Sequence, residues 1–355
     1  MSRPDVIPSG STIGIMGGGQ LGRMIAMAAA QLGYRCHIYA PEKHSIAAEV
    51  SAGFTCASWL DQAALSEFAQ NCAVVTYEFE NVPVAPLAAI PEDRMAPGKL
   101  ALEIAQDRLK EKQFIADLGG RPAPYARVDT EEGLRDAVEQ VGMPGILKTR
   151  RDGYDGKGQW RIHSLSEMDG VRVPQGGLIY EGFVRFEAEF SVILVRARDG
   201  SVKFWDSAQN IHKNGILAES RLPAPKLVGE QVEEARELAR QAADALNYVG
   251  VLALEFFATA EGPVFNEMAP RVHNSGHWTS EGAVTSQFEN HVRAICGLPL
   301  GDTSTVSTRV EMRNLIGGEA ADIASLLADP RAHLHLYGKA EAREGRKMGH
   351  VTKVG

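Results

Sequence analysis

The segment Asn266-Glu267-Met268-Ala269-Pro270-Arg271-Val272-His273-Asn274-Ser275-Gly276-His277 gathers a carboxylate, amides, a guanidinium and two imidazoles into one short stretch. It follows an apolar run, Val249–Phe257, whose single acid is Glu255. Thr259-Ala260-Glu261-Gly262 reads as a turn, and Pro263-Val264-Phe265 begins a return strand. A hairpin folded about Glu261 sets Glu255 and Glu267 directly opposite each other on one face, where like charges repel. A divalent cation with oxygen ligands resolves that repulsion, and Asn266 adds a further oxygen beside it.

Two glycine-rich loops offer anion chemistry. Gly153-Tyr154-Asp155-Gly156-Lys157-Gly158-Gln159 is not a Walker A loop, because Gln159 and Trp160 follow the last glycine. Three glycines around a lysine still suit a cover whose amides and ammonium hold polyphosphate. Lys148 ends the preceding strand-like run and points a second cation at the same anion. The other loop, Gly17-Gly18-Gly19-Gln20-Leu21-Gly22, fits G-x-G-x-x-G, and Glu42 stands where a ribose-binding acid of a dinucleotide site would fall. Its physical content is broader: glycines let backbone approach any anion at a helix N-terminus.

The elements that must position these groups follow from periodicity. Thr12–Met16, Arg35–Tyr39 and Ala73–Tyr77 read as buried strands, and Leu21–Leu32 as a helix between the first two, the pattern of an open parallel sheet. Leu100–Leu118 reads as one helix, with Arg121-Pro122-Ala123-Pro124 as a hinge. A helix over Glu131–Val141 precedes the Gly145–Lys148 strand. Apolar residues at helical spacing make Gly229–Leu246 an amphipathic helix lying on a sheet, and Gln287–Cys296 a closing helix. At 355 residues the chain is expected to hold two or three domains. A net charge of −8 argues against a nucleic-acid surface. Basic residues nevertheless gather late, at Lys339, Arg343, Arg346, Lys347 and Lys353. No apolar run reaches membrane-spanning length, no signal peptide is recognisable, and the scattered Cys36, Cys56, Cys72 and Cys296 suit a cytoplasmic protein.

A strand-end lysine, a glycine-rich cover loop and two late acids on a hairpin together resemble the ATP-grasp superfamily. Within it, GGGQLGRM at 17–24, TYEFENV at 76–82, GYDGKGQW at 153–160, RVHNSGHWT at 271–279 and GRKMGH at 345–350 resemble the N5-carboxyaminoimidazole ribonucleotide synthetases of purine biosynthesis. The resemblance runs nearly the whole chain in order. It implies a mixed α/β and α+β fold: a Rossmann-like N-terminal domain over 1–99, an ATP-grasp unit over 100–300 with a mobile lid at about 122–184, and a small β-rich C-terminal domain over 301–355.

The same resemblance implies the roles of individual residues. ATP would meet Arg108 and Lys148 at its phosphates under Gly153–Gln159, the backbone of Glu181-Gly182-Phe183-Val184 at adenine, and Glu189 at the ribose, with His212 nearby. Glu255 and Glu267 would hold magnesium, with Asn266 alongside. Gly19, Gln20, Leu21, Glu78, Asn274 and Ser275 would face 5-aminoimidazole ribonucleotide, and Arg343, Arg346 and Lys347 its 5′-phosphate. Arg271 would clamp an anionic intermediate, and His273, with Tyr154, would orient it or move a proton. Bicarbonate would be the co-substrate and carboxyphosphate the intermediate. A homodimer is implied as well. A formate-dependent ATP-grasp formyltransferase, a nicotinamide oxidoreductase built on Gly17–Gly22 and a non-catalytic nucleotide sensor are the competing readings. Neither a hydride-transfer site nor a loss of the metal acids supports the last two.

Overall fold

The computed structural model describes residues 6–151, 153 and 158–355. The N-terminal part consists of β1 (Thr12–Met16), α1 (Gln20–Gln31), β2 (Arg35–Ala40), β3 (Gly53–Cys56), α2 (Gln62–Gln70) and β4 (Val74–Tyr77). Its four strands pair in parallel in the order β3-β2-β1-β4. Helices cover both faces, so β1 and β4 are apolar almost throughout. Strand β3 has no counterpart in the sequence reading. It is an edge strand of four residues, alternately half-buried and exposed, too short to show a period.

The single helix expected over 100–118 is two helices, α3 (Lys99–Ala105) and α4 (Arg108–Asp117). Asp107 breaks it. Its carboxylate accepts from the Leu109 N–H at 3.1 Å, capping α4, and meets Arg150 Nη2 at 2.6 Å. A side chain that satisfies the backbone from outside the helix ends one helix and starts the next. The break places Arg108 in the first turn of α4, beside the end of the lid.

The segment expected as the lid contains β5 (Tyr125–Val128), α5 (Glu131–Val141), β6 (Gly145–Thr149), β7 (Gln159–Ile162) and β8 (Leu178–Gly182). Its antiparallel sheet runs β5-β8-β6-β7, with Leu134, Ala137 and Val138 of α5 packed on Leu147 and Tyr180. Beyond it the chain forms β9 (Ala188–Arg196), β10 (Val202–Phe204), β11 (Gln209–Lys213), β12 (Ile216–Leu222), α6 (Lys226–Ala245), β13 (Gly250–Thr259), β14 (Gly262–Ala269), α7 (Thr279–Gly282) and α8 (Gln287–Ile295). The strands β15 (Val310–Ile316), β16 (Ala332–Leu336) and β17 (Lys347–Val354) continue the same antiparallel sheet, because β15 pairs with β12. The order is β14-β13-β9-β11-β12-β15-β17-β16, with β10 beside β9.

The two faces of this sheet bury different partners. Leu252, Leu254 and Phe256 of β13 meet Ala235, Ala239, Ala242 and Ala243 of α6. Val251 and Ala253 face the other way, toward Phe288, Val292 and Ile295 of α8 and the apolar side of α1. Alternation along β13 therefore turns Glu255 toward the N-terminal domain. Among the described residues, no helix is long and apolar enough to cross a membrane.

His291 ties the layers together. Buried on α8, it lies 2.9 Å from Thr76 Oγ1 of β4 and accepts the Val251 N–H at Nδ1, 3.1 Å away. Burial pushes its imidazole down to about 4, so the folded protein holds it neutral. A histidine depressed by folding contributes stability above its unfolded value, near 6.5, and that stability is lost as pH falls toward 4. Unfolding free energy should therefore decline over that window, with this one group supplying about 1.4 kcal/mol per pH unit. Denaturant titrations of His291→Asn at several pH values should show a shallower decline, and an unchanged slope would exclude the group.

Candidate active site

Glu255 and Glu267 stand directly opposite each other across β13 and β14. The route to that pairing differs from a turn centred on Glu261. Thr259 pairs with Gly262, so Ala260-Glu261 is a two-residue turn, and that register alone would set Glu255 against Asn266. A β-bulge at Asn266 inserts one extra residue, after which Glu267 meets Glu255. A one-residue slip moves a side chain to the other face of a sheet, so the bulge is what puts both acids on the same side. Burial, reinforced by the Glu267 charge, pushes the Glu255 carboxyl up to about 8. Two facing carboxyl groups in this arrangement fit a hard cation, whose charge would return Glu255 to the ionised form. No group of three or more His, Cys, Asp or Glu with metal-binding geometry occurs among the described residues. Magnesium here would take its remaining oxygens from phosphate and water, as that ion commonly does.

Cations flank the acids. Arg108 lies 3.5 Å from Glu267 through Nη1 and donates from Nη2 to the Gly153 carbonyl at 3.3 Å. It thus joins the acid pair to the start of the cover loop. Of that loop, Tyr154, Asp155, Gly156 and Lys157 lie outside the described residues. Gly158 accepts the Thr149 N–H through its carbonyl, and Gln159 pairs with Lys148 across β6 and β7. Lys148 meets Glu181 at 2.8 Å, and Lys112 meets the same carboxylate oxygen at 3.3 Å. Burial alone would raise the Glu181 carboxyl, but Lys112 and Lys148 outweigh it and hold it at about 2. Two ammonium groups share one carboxylate, and the excess positive charge is suited to an anion such as phosphate. The N–H groups of Gly182 and Phe183 donate to the carbonyls of Pro124 and Pro144, pinning this segment, while the Phe183 side chain is exposed. Val184 follows, half-buried. His212 Nδ1 lies 2.8 Å from Glu189. Burial opposes the charge on His212, but Glu189 and Glu255 outweigh it and raise its imidazole.

On the other side, Arg271 pairs with Glu80 at 2.8 Å. His273 lies 3.6 Å from Glu255 through Nε2 and 2.8 Å from Ser275 Oγ through Nδ1. Ser275, Ser191, Asn210 and Ser220 continue a buried hydrogen-bonded chain behind it. The amide of Gln287 brackets the His273 backbone, accepting its N–H and donating to its carbonyl. Burial, with Arg271 and Lys347 nearby, lowers the His273 imidazole well below its ordinary value, which favours its neutral form. Asn274 exchanges two amide hydrogen bonds with Asn314 of β15.

The N-terminal glycine turn is already occupied by an acid. Glu78 accepts the Gly19 N–H at 2.7 Å, and a Cβ on Gly17 (φ +116°) would lie 2.5 Å from its carboxylate. A pyrophosphate would meet that carboxylate, and Glu42 is exposed beyond β2. Neither fits a dinucleotide site. Glu78 and Glu80 divide their work: one holds the turn beside Gln20 and Leu21, the other holds Arg271. The basic tail divides as well. Lys339 donates to the Lys347 carbonyl at 2.7 Å, and the charge of Lys347 reaches Glu255 and His273. Arg346 lines a cleft of about 480 Å³ with Lys43, His44, Ser45 and Lys339. Arg343 is exposed and paired with Glu341, and Lys353 pairs with Asp329. Asp107, Glu111, Lys112, Ser191 and Gln287 were not singled out in the sequence. The charged ones stand in a charge-rich stretch of sequence, yet Asp107, Glu111 and Lys112 are all buried.

A small antiparallel lid sheet facing a large antiparallel sheet, with paired acids and buried lysines between them, defines an ATP-grasp ligase. The ATP-grasp domain family matches residues 113–288, the ribonucleotide synthetase preATP-grasp domain residues 11–106, and the phosphoribosylaminoimidazole carboxylase C-terminal domain residues 311–355. The N5-carboxyaminoimidazole ribonucleotide synthase of Brucella melitensis is 50% identical, over 97% of this chain and 96% of its own. The crystal structure of the Thermus thermophilus synthetase superposes with a TM-score of 0.89 at 47% identity, covering 97% of this chain and 93% of that one. The Aspergillus clavatus enzyme, solved with ADP and 5-aminoimidazole ribonucleotide, gives 0.88 at 30% identity, covering 98% and 94%. The chain belongs to the N5-carboxyaminoimidazole ribonucleotide synthase family of purine biosynthesis.

Glu181→Gln should leave Lys112 and Lys148 buried without a counter-charge and destabilise the protein by about 3 kcal/mol. Denaturant unfolding tests this; a loss near zero would mean that the lysines reach water.

Proposed function

We propose that this chain carboxylates 5-aminoimidazole ribonucleotide with bicarbonate, coupled to cleavage of ATP to ADP and phosphate. The pairing of Glu255 with Glu267, beside the lysines that share Glu181, is the observation that carries this reading. Bicarbonate is a poor electrophile and the exocyclic amine a weak nucleophile. Phosphorylating bicarbonate gives carboxyphosphate, whose carbon the amine can attack, directly or as released carbon dioxide. Phosphoryl transfer requires charge neutralisation and alignment above all.

In this reading Glu255 and Glu267 hold magnesium, with Asn266 beside them. When bound, the ion supplies charge that steadies the β- and γ-phosphates for in-line transfer. Lys148 and Arg108 bind phosphate oxygens, and the loop from Gly153 to Gln159 closes over them. Closure excludes water, which would otherwise hydrolyse carboxyphosphate. Segment 181–184 reads adenine, and Glu189 the ribose, oriented by His212. Arg271, held by Glu80, faces the carboxyphosphate anion, and neutral His273 accepts a proton from the attacking amine, with Tyr154 as a partner. Gly19, Gln20, Leu21, Glu78, Asn274 and Ser275 surround the imidazole ribonucleotide, and Lys347 and Arg346 meet its 5′-phosphate. Arg343, turned outward, is given no part in that contact. A homodimer in the cytoplasm completes the proposal, and light scattering of the purified protein tests the dimer.

ADP release should require both bicarbonate and the ribonucleotide for full rate; stimulation by formate in place of bicarbonate would redirect the assignment to a formyltransferase. Glu267→Gln should lower ATP turnover by about 100-fold or more while leaving the fold intact. Lys347→Ala should raise KM for the ribonucleotide about tenfold with KM for ATP little changed, and Arg343→Ala should do neither. An equal rise in KM for both substrates in Lys347→Ala would remove Lys347 from the phosphate contact.

A further inference from the structure

Strand β14 lies at the edge of the central sheet, and an edge strand presents backbone groups that need partners. At the bulge the need is acute, because Asn266 has no residue opposite it on β13. Helix α4 meets this edge with ionisable side chains. Glu111 accepts the Met268 N–H at 2.7 Å, and Lys112 donates to the Asn266 carbonyl at 3.4 Å. Those are the backbone groups on either side of Glu267. Arg108, one turn earlier on the same face of α4, reaches the Glu267 carboxylate itself. The helix therefore grips three consecutive residues of the bulged strand.

Covering a strand edge does not require ionisable groups, and burial here pushes the Glu111 carboxyl up to about 8. Glu111 is 2% exposed and Lys112 0%, and burying such groups costs several kcal/mol unless each is well partnered. Lys112 completes its pairing with Glu181, whose other partner is Lys148. The strand that carries one acid and the lysine expected to meet phosphate are thus joined through a single buried ammonium.

We propose that Glu111 and Lys112 form a two-point clamp that positions Glu267 for the cation, through the backbone groups flanking it. They are positioning residues and touch neither substrate nor metal. The proposal rests on the reading of Glu255 and Glu267 as the cation site. A clamp that only covered an edge would affect stability alone, whereas one that aims Glu267 must change how tightly the site holds its ion.

The test is Mn²⁺ binding to the full-length protein in the presence of ADP, followed by the electron paramagnetic resonance of free Mn²⁺, with thermal unfolding alongside. Glu111→Leu and Lys112→Met should each weaken Mn²⁺ about 10- to 100-fold, the range expected when the support of a metal ligand is removed. Glu111→Gln keeps a carbonyl oxygen for the Met268 N–H and should stay within about threefold of the parent, less than 1 kcal/mol. Folded Glu111→Leu with parental Mn²⁺ affinity would overturn the clamp. If Glu111→Leu does not fold, Glu111→Asp, whose carboxylate is withdrawn by one methylene, decides on the same criterion. Glu267→Gln separates the two claims: unchanged Mn²⁺ affinity there would remove the cation site itself, whereas a loss there with none in Glu111→Leu would remove only the clamp.

Discussion

Two carboxylates held face to face across a hairpin are the constraint that organises this molecule. Glu255 and Glu267 repel each other, and the protein keeps them together through a bulge at Asn266 that converts a mismatched register into a matched one. Burial first, and then the facing Glu267 charge, raise the Glu255 carboxyl, so setting the two acids side by side is unfavourable. Under the proposed function, a bound cation would relieve that unfavourable term. The surrounding cations, at Arg108, Lys148 and Lys112, then supply the complementary field for the anion that accompanies it.

The three layers of the fold follow from this arrangement. The lid contributes Lys148 and Glu181 from adjacent strands of one small sheet. The central sheet contributes both acids, and the N-terminal domain contributes Glu78 and Glu80, which hold the glycine turn and Arg271. Short helix α4 touches the lid and the central sheet through Asp107, Arg108, Glu111 and Lys112. His291 locks the N-terminal sheet to the central one. Each layer is a conventional sheet with helical cover; the chemistry sits where their polar edges converge.

Much of this was legible in the chain. Glu255 and Glu267 interrupt apolar runs, so a hairpin pairing them was readable from the side chains alone. The small-residue stripe of α6 at helical spacing foretold its burial on the sheet. The bulge was not legible, because it depends on whether the turn takes two residues or three, and Thr259-Ala260-Glu261-Gly262 permits either. Glu111 and Lys112 were hidden for a different reason. The sequence of α4, Arg108-Leu109-Lys110-Glu111-Lys112-Gln113, has the composition of a solvated surface, and only the converging carboxylate and strand edge reveal a buried ionic face. The glycine turn at 17–22 is ambiguous by itself: its spacing also suits a dinucleotide, and only Glu78, distant in sequence, fills the turn and argues against one.

The central claim is that Glu255 and Glu267 would together hold a cation beside the phosphates of the nucleotide. Anomalous scattering from crystals grown with Mn²⁺ and a non-hydrolysable ATP analogue tests it most directly. The account predicts a manganese peak about 2.0–2.6 Å from oxygens of both Glu255 and Glu267 and from the analogue's phosphates. A peak that misses either carboxylate, or a triphosphate bound away from Lys148, would contradict it.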